Sequence, residues 1–331
     1  MDTLPPPLDF KDRKGGLIAF GVLTVLMGCF CALLVPLMLF TQAMAARNGA
    51  PLNGPAVVRA SVMYGLVAIA FVWLGIGSVM ARRWARALLV ILSWTWLAIG
   101  VVSVCAMAFM VPQFMATMRA TTPPGQPEPP QEALWAGLSI VTVMMGVIFV
   151  VFPFGWVLFY GNKSVQATCE TCDPKVRWTD RCPLPVLAAS LWLAVCVPGM
   201  LITVFVRRGV IAFFGTFVTG SLGTIAYIVL ALTWGYCAWA FYKLERRGWW
   251  ILVTALVLLS ISSAITYSRH DSSELFALMG YPHQQVARMR KLALFGGRTA
   301  AWIAPAALAP TLAYLIYLRR FFPFRTKTSQ H

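Results

Sequence analysis

The amino-acid sequence predicts an all-α protein, a polytopic transmembrane helix bundle of about eight spans with both termini inside. Three observations predict it. Hydrophobic residues make up 59% of the 331 residues and charged residues only 11%, with a mean hydropathy of +0.74, which is too apolar for a water-soluble domain. About eight apolar runs reach the ~20 residues that a helix needs to cross ~30 Å of hydrocarbon. The 27 Lys and Arg residues gather in short clusters between those runs, where they meet anionic headgroups and set orientation. They lack the aromatic and basic interleaving of a nucleic-acid platform, so the net charge of +16 points to lipid and not to nucleic acid.

In chain order the spans are expected over 17–44, 57–80, 88–111, 135–160, 184–206, 210–242, 249–267 and 299–318. The first follows Lys11, Arg13 and Lys14, is too long for a signal-peptide core and lacks a small-residue cleavage site, so it reads as an uncleaved signal anchor. The run 210–242 would be about 50 Å long as one helix, well beyond a bilayer core. Gly215, Gly220 and Gly223 in its first half predict a break, with a short tilted or interfacial piece and then a span from about 222. Thr216, Gly220 and Thr224 repeat every four residues, which on a helix puts small groups on one face and either admits a second helix or marks a bend. Pro36, Pro153, Pro198, Pro305 and Pro310 lie within spans and read as kinks.

The organisation that follows is a cytoplasmic tail (1–16), a four-span half (17–160), a cytoplasmic cysteine-containing loop (161–183), a second four-span half (184–318) and a basic cytoplasmic tail (319–331). With the N-terminus inside, 17 of the basic residues fall on the inside and 10 on the outside. The string RKGGLIAFG at Arg13–Gly21 returns as RRGVIAFFG at Arg207–Gly215, and RRWARALLVILS from Arg82 is echoed by RRGWWILVTALVLLS from Arg246. A diverged repeat and two similar solutions to one basic-then-apolar boundary both account for these echoes.

All eleven Asp and Glu residues lie outside the spans, which argues against carboxylate-based proton coupling and intramembrane aspartyl proteolysis. His270, His283 and His331 also lie outside, so no pair is placed to ligate a membrane haem and no base accompanies an intramembrane serine. No GxxxxGK[ST] or GxSxG string occurs, which leaves ATP-driven transport and hydrolase-type acyl transfer without support. No catalytic residue is therefore expected.

Two segments carry sharper signals. In CETCDPKVRWTDRC, the thiols of Cys169, Cys172 and Cys182 lie close enough in sequence to hold Zn²⁺ or to exchange as a dithiol, with Asp173, Asp180 or a second subunit as fourth ligand. Incidental reduced thiols are the competing reading. Cys29, Cys31, Cys105, Cys196 and Cys237 lie in apolar runs and read as packing residues. In the outside segment 271–296, Asp271 caps a first short helix that Gly280 ends, and Pro282 opens a second that Gly296 closes. Val286, Met289, Leu292 and Phe295 share one face of that second helix, away from Arg288, Arg290 and Lys291, which are placed to touch anionic headgroups from the interface.

The strings RRWAR at Arg82–Arg86 and DPKVRWTDRCPLPVLA at Asp173–Ala188 resemble those of uncharacterised multi-pass inner-membrane proteins of bacteria, over most of the chain. The resemblance implies a bacterial inner membrane and no activity. The expectation for function is a non-enzymatic scaffold or interaction subunit, paired with another membrane protein or with a second copy. The alternative is a passive or facilitated transporter of a small anionic or lipid-like solute, with a polar cavity lined by groups such as Gln42, Arg59, Thr203 and Thr216. A third reading is a thiol- or metal-linked protein acting through the cysteine loop.

Overall fold

The computed structural model describes residues 11–47, 54–121, 131–207, 209–281, 286 and 298–322. Among them, eight helices are long and apolar enough to cross a membrane. The protein is an all-α polytopic membrane protein. Its elements are α1 (Lys14–Arg47), α2 (Gly54–Val79), α3 (Arg83–Thr121), α4 (Gln131–Gly146), α5 (Phe152–Tyr160), α6 (Lys163–Cys172), α7 (Leu184–Arg207), β1 (Ile211–Phe213), β2 (Thr216–Val218), α8 (Gly220–Tyr242), α9 (Arg246–Arg269), α10 (Ser272–Leu278) and α11 (Arg298–Leu318). They fall into two compact units, one of Met1–Met107 with Gln131–Arg181 and one of Ala108–Pro130 with Cys182–His331.

In the first unit α1 and α2 pack along a seam built from missing side chains. Leu17, Gly21, Thr24 and Gly28 form the buried stripe of α1, at the alternating spacing of four and three that keeps one helix face inward. A Cβ on Gly28 would lie 2.9 Å from the Val72 nitrogen and 3.0 Å from the Ala68 oxygen, and one on Gly75 would lie 2.8 Å from the Gly21 oxygen. In lipid no hydrophobic drive holds helices together, so this backbone-to-backbone approach supplies the dispersion contact that does.

The fourth span is one run of α4, a π turn over Val147–Val151, and α5. Pro153 has no N–H to give the Phe149 carbonyl, and the extra residue of the π turn absorbs the mismatch. The Phe149 carbonyl then rests against Gly100, where any side chain would collide with it.

The two Arg-opened echoes differ in outcome. After α2, Ala81 takes φ +52, Arg82 N donates to Gly77 O at 2.9 Å and Ala81 N to Ser78 O at 2.8 Å. After α8, Leu244 takes φ +58, Glu245 N donates to Ala240 O at 2.8 Å and Leu244 N to Phe241 O at 2.9 Å. Both are the same left-handed helix stop, followed two residues on by an arginine that opens the next span. The other echo shares sequence and not structure: Arg13–Gly21 enters α1, whereas Arg207–Gly215 leaves α7 and runs into a strand.

The break expected within 210–242 is present, but its first piece is a β-hairpin. Ile211 pairs with Val218, Ala212 with Phe217 and Phe213 with Thr216 around a Phe214–Gly215 turn. The expected helix face of Thr216, Gly220 and Thr224 is thereby corrected. Thr216 lies in β2, and Gly220, at φ +65, is the first residue of α8. Gly223, where any side chain would collide with the Gly209 carbonyl, admits the backbone of Gly209 against the first turn of α8. Beyond α9, Asp271 caps α10 by accepting from Ser273 N at 3.3 Å, and Gly280 ends it at φ +82, as the sequence predicts. Residues 282–285 and 287–297, with Arg288, Arg290 and Lys291, lie outside the described residues.

Candidate functional site

One end of the first unit is knitted by polar contacts that draw four helix termini together. Ser78 Oγ donates to Leu17 O at 3.1 Å and lies 2.7 Å from the Tyr160 hydroxyl. Arg86 Nε donates to Tyr160 O at 3.0 Å, and Arg13 N donates to Thr168 Oγ1 at 3.2 Å. The start of α1, the end of α2, the start of α3 and the end of α5 thus share one face, onto which residues 161–181 fold.

That segment is more ordered than its composition suggests. The Asn162 side chain accepts from Ser164 N at 2.8 Å, so the short polar turn of GNKS is the N-cap of α6. Val165, Thr168 and Cys169 form the buried face of α6 at helical spacing.

Asp173 is the hub. Its side chain is only 3% exposed and accepts from Arg177 through Nε at 3.2 Å and Nη2 at 2.9 Å, a two-pronged grip. The backbone amide of Arg83, the first residue of α3, also donates to it, and Arg82 Nη1 lies 3.8 Å away. A carboxylate from the loop therefore caps α3, where the unpaired amides of a helix start favour negative charge. The hydrogen bond from Arg177 above all holds the Asp173 carboxyl below the usual carboxylate range, and in turn raises the Arg177 guanidinium above its ordinary value. Arg83 adds Glu170 and Asp180, each at 3.5 Å. These two pairs are part-exposed and contribute under about 1 kcal/mol each, so they tune the docking that Asp173 sets.

Among the described residues the three loop thiols do not gather into the expected zinc centre. Cys169 and Cys182 are buried, Cys172 is exposed, and among the described residues no three His, Cys, Asp or Glu side chains gather as a metal needs. Burial pushes the Cys169 and Cys182 thiols up to about 11, with the Arg86 charge only partly opposing it at Cys169, whereas a metal ligand or nucleophile needs a thiolate. Asp173, expected as a fourth ligand, is engaged by arginine. The role of Arg82, Arg83 and Arg177 as partners of this loop went unread because their charge already accounts for orientation. The available signal was three acids, Glu170, Asp173 and Asp180, concentrated in one loop of an acid-poor chain.

Two of the groups named for a transport cavity bond to their own backbone. Thr203 Oγ1 donates to Gly199 O at 2.7 Å and Thr216 Oγ1 to Phe213 O at 3.1 Å, each satisfied by its own backbone, while the Arg59 side chain lies outside the described ones. Two grooves are apolar: one of about 280 Å³ lies between α7 and α8 beside Val197, Ile228 and Gly235, and one of about 430 Å³ lies along α4 beside Ile140 and Met144. Comparison with family models, curated proteins and solved structures returns no match.

Proposed function

We propose that this protein is a non-enzymatic scaffold of a bacterial inner membrane, whose 161–183 segment is a partner-binding platform on the cytoplasmic face. The observation that carries the reading is the docking of that segment by Asp173 onto the start of α3. A loop tied to two helix termini through a buried carboxylate is a rigid surface, and preorganised surfaces bind without the entropic cost of ordering. At its rim Val176 is 68% exposed beside Lys175, and Trp178 is 42% exposed two residues on. An apolar and aromatic pair ringed by basic groups is the composition of a protein-binding centre with a polar rim. The 17 to 10 distribution of basic residues supports the cytoplasmic side for this platform and for both termini.

The experiment is native purification in lipid nanodiscs with identification of bound proteins, for the unaltered chain and for Val176→Asp. A partner or second copy that is retained by the first and lost from the second, with both eluting alike, is the expected result. Equal recovery of every bound protein from both, or solute flux through vesicles reconstituted with the protein alone, would remove the scaffold reading and favour the transporter.

A further inference from the structure

The β-hairpin of the second unit carries apolar aromatic side chains where a chain that only needed to turn would carry Asn-Gly. Phe214 stands at φ +37 and Gly215 at φ +95, in the two turn positions. A bulky aromatic in the left-handed region is costly, and here the ring gains little packing in return, since Phe213 and Phe214 are 52% and 46% exposed.

The depth of the hairpin follows from what holds it. Ser262 Oγ donates to Ala212 O at 3.2 Å and accepts from Phe214 N at 2.9 Å. Gly215 N donates to Thr266 Oγ1 at 2.9 Å, and Gly215 O meets His270 Nε2 at 3.1 Å. On the other side Tyr227 donates its hydroxyl to Val210 O at 3.1 Å. Ser262 lies seven residues inside the end of α9, and Tyr227 seven residues inside the start of α8, each about 10 Å along its span. These bonds lay the hairpin along the last two turns of α9, and non-helical chain beside a span is tolerated only where protein meets its polar groups.

The pairing register sorts its side chains by face. Ala212 and Phe217 share one face, and Phe217 packs on Tyr267 and His270 of α9 and its end. Ile211, Phe213, Thr216 and Val218 share the other. The one polar side chain on that outer face, Thr216, turns its hydroxyl back to the Phe213 carbonyl. No charged residue occurs from Val210 to Thr219, while exposed Arg269, at the water end of α9, lies against Gly215, 2.9 Å from where a Cβ would be.

We propose that this hairpin is a lipid anchor: Phe213 and Phe214 sit among the acyl chains of the leaflet at that end, and Arg269 takes the phosphate of the same phospholipids. An outer face whose side chains are apolar, with its one hydroxyl turned back to the backbone and a cation at the water end of α9, matches a phospholipid in chain and in headgroup. The anchor stands independently of the platform in the first unit.

The test is photocrosslinking of the full chain in vesicles of phosphatidylethanolamine and phosphatidylglycerol, with p-benzoylphenylalanine placed at Phe213, Phe214 or Phe217. Phospholipid adducts from positions 213 and 214, and none from position 217, are expected. Arg269→Gln should leave the adduct yield intact and lower the phosphatidylglycerol share of it several-fold. A covalent dimer from position 213 in place of lipid would show that a second copy covers this face and would overturn the anchor. Absence of any adduct at 213 and 214, in protein that elutes as the unaltered chain does, would overturn it as well, and an unchanged phosphatidylglycerol share would overturn the phosphate contact.

Discussion

Asp173 shows how one side chain settles the state of a whole segment. Because its folded carboxyl is held low, it contributes stability that is present above the ordinary carboxylate value and lost as pH falls through the lowered one. Asp173→Asn keeps the shape and removes the charge, so the loop should detach at neutral pH. Limited trypsin cleavage at Lys175 and Arg177 should then accelerate at least several-fold, and unchanged protection would show that α6 alone holds the loop. Cys169 gives the opposite sign. Its raised thiol contributes stability that is complete below the ordinary thiol value and lost as pH rises through about 11. At pH 8 an alkylating reagent should therefore consume Cys172 well before Cys169, and equal rates at the two would contradict the burial. Ser78→Ala would remove the 2.7 Å partner of the buried Tyr160 hydroxyl and leave it Thr24 alone, and should cost about 0.5–1.5 kcal/mol in thermal or steric-trap measurements.

At the scale of elements, the α1–α2 seam and the two left-handed helix stops carry the sharpest expectations. Gly28→Val places a branched side chain against the Val72 and Ala68 backbone and should destabilise by about 2–4 kcal/mol. Gly65→Ala on α2, with open space around the added carbon, should be neutral or slightly stabilising. A comparable loss from both in a melting series would mean that α1 and α2 do not pack as described. Leu244→Gly relieves a non-glycine left-handed residue and should raise stability by about 0.5–1 kcal/mol. The spans themselves were legible because membrane crossing is set by length and composition, which sequence states directly. The hairpin was not. Ile211–Val218 is so apolar that it merges with α8 into one run, and the Ser262, Thr266 and His270 side chains that satisfy its backbone lie about fifty residues away. The seam at Gly21, Gly28 and Gly75 needed knowledge of which helices touch, and the four-residue spacing of Thr216, Gly220 and Thr224 joined a strand residue to two residues of α8.

For the molecule as a whole, eight apolar spans are distributed over two units, and a charged platform stands at one end of the first. Loop chemistry was only half legible: the concentration of thiols and acids in 161–183 was visible, but their division into buried thiols and arginine-bound carboxylates depends on contacts between residues some ninety positions apart, as between Arg83 and Glu170. Cys172 offers the most direct measurement of the central claim, that this platform faces the cytoplasm. It is exposed at the end of α6, whereas the exposed thiols of Cys29 and Cys105 lie within spans, where a membrane-impermeant maleimide does not reach. Labelling sealed vesicles of either orientation should modify Cys172 from the cytoplasmic side alone; modification from the periplasmic side alone would contradict the account.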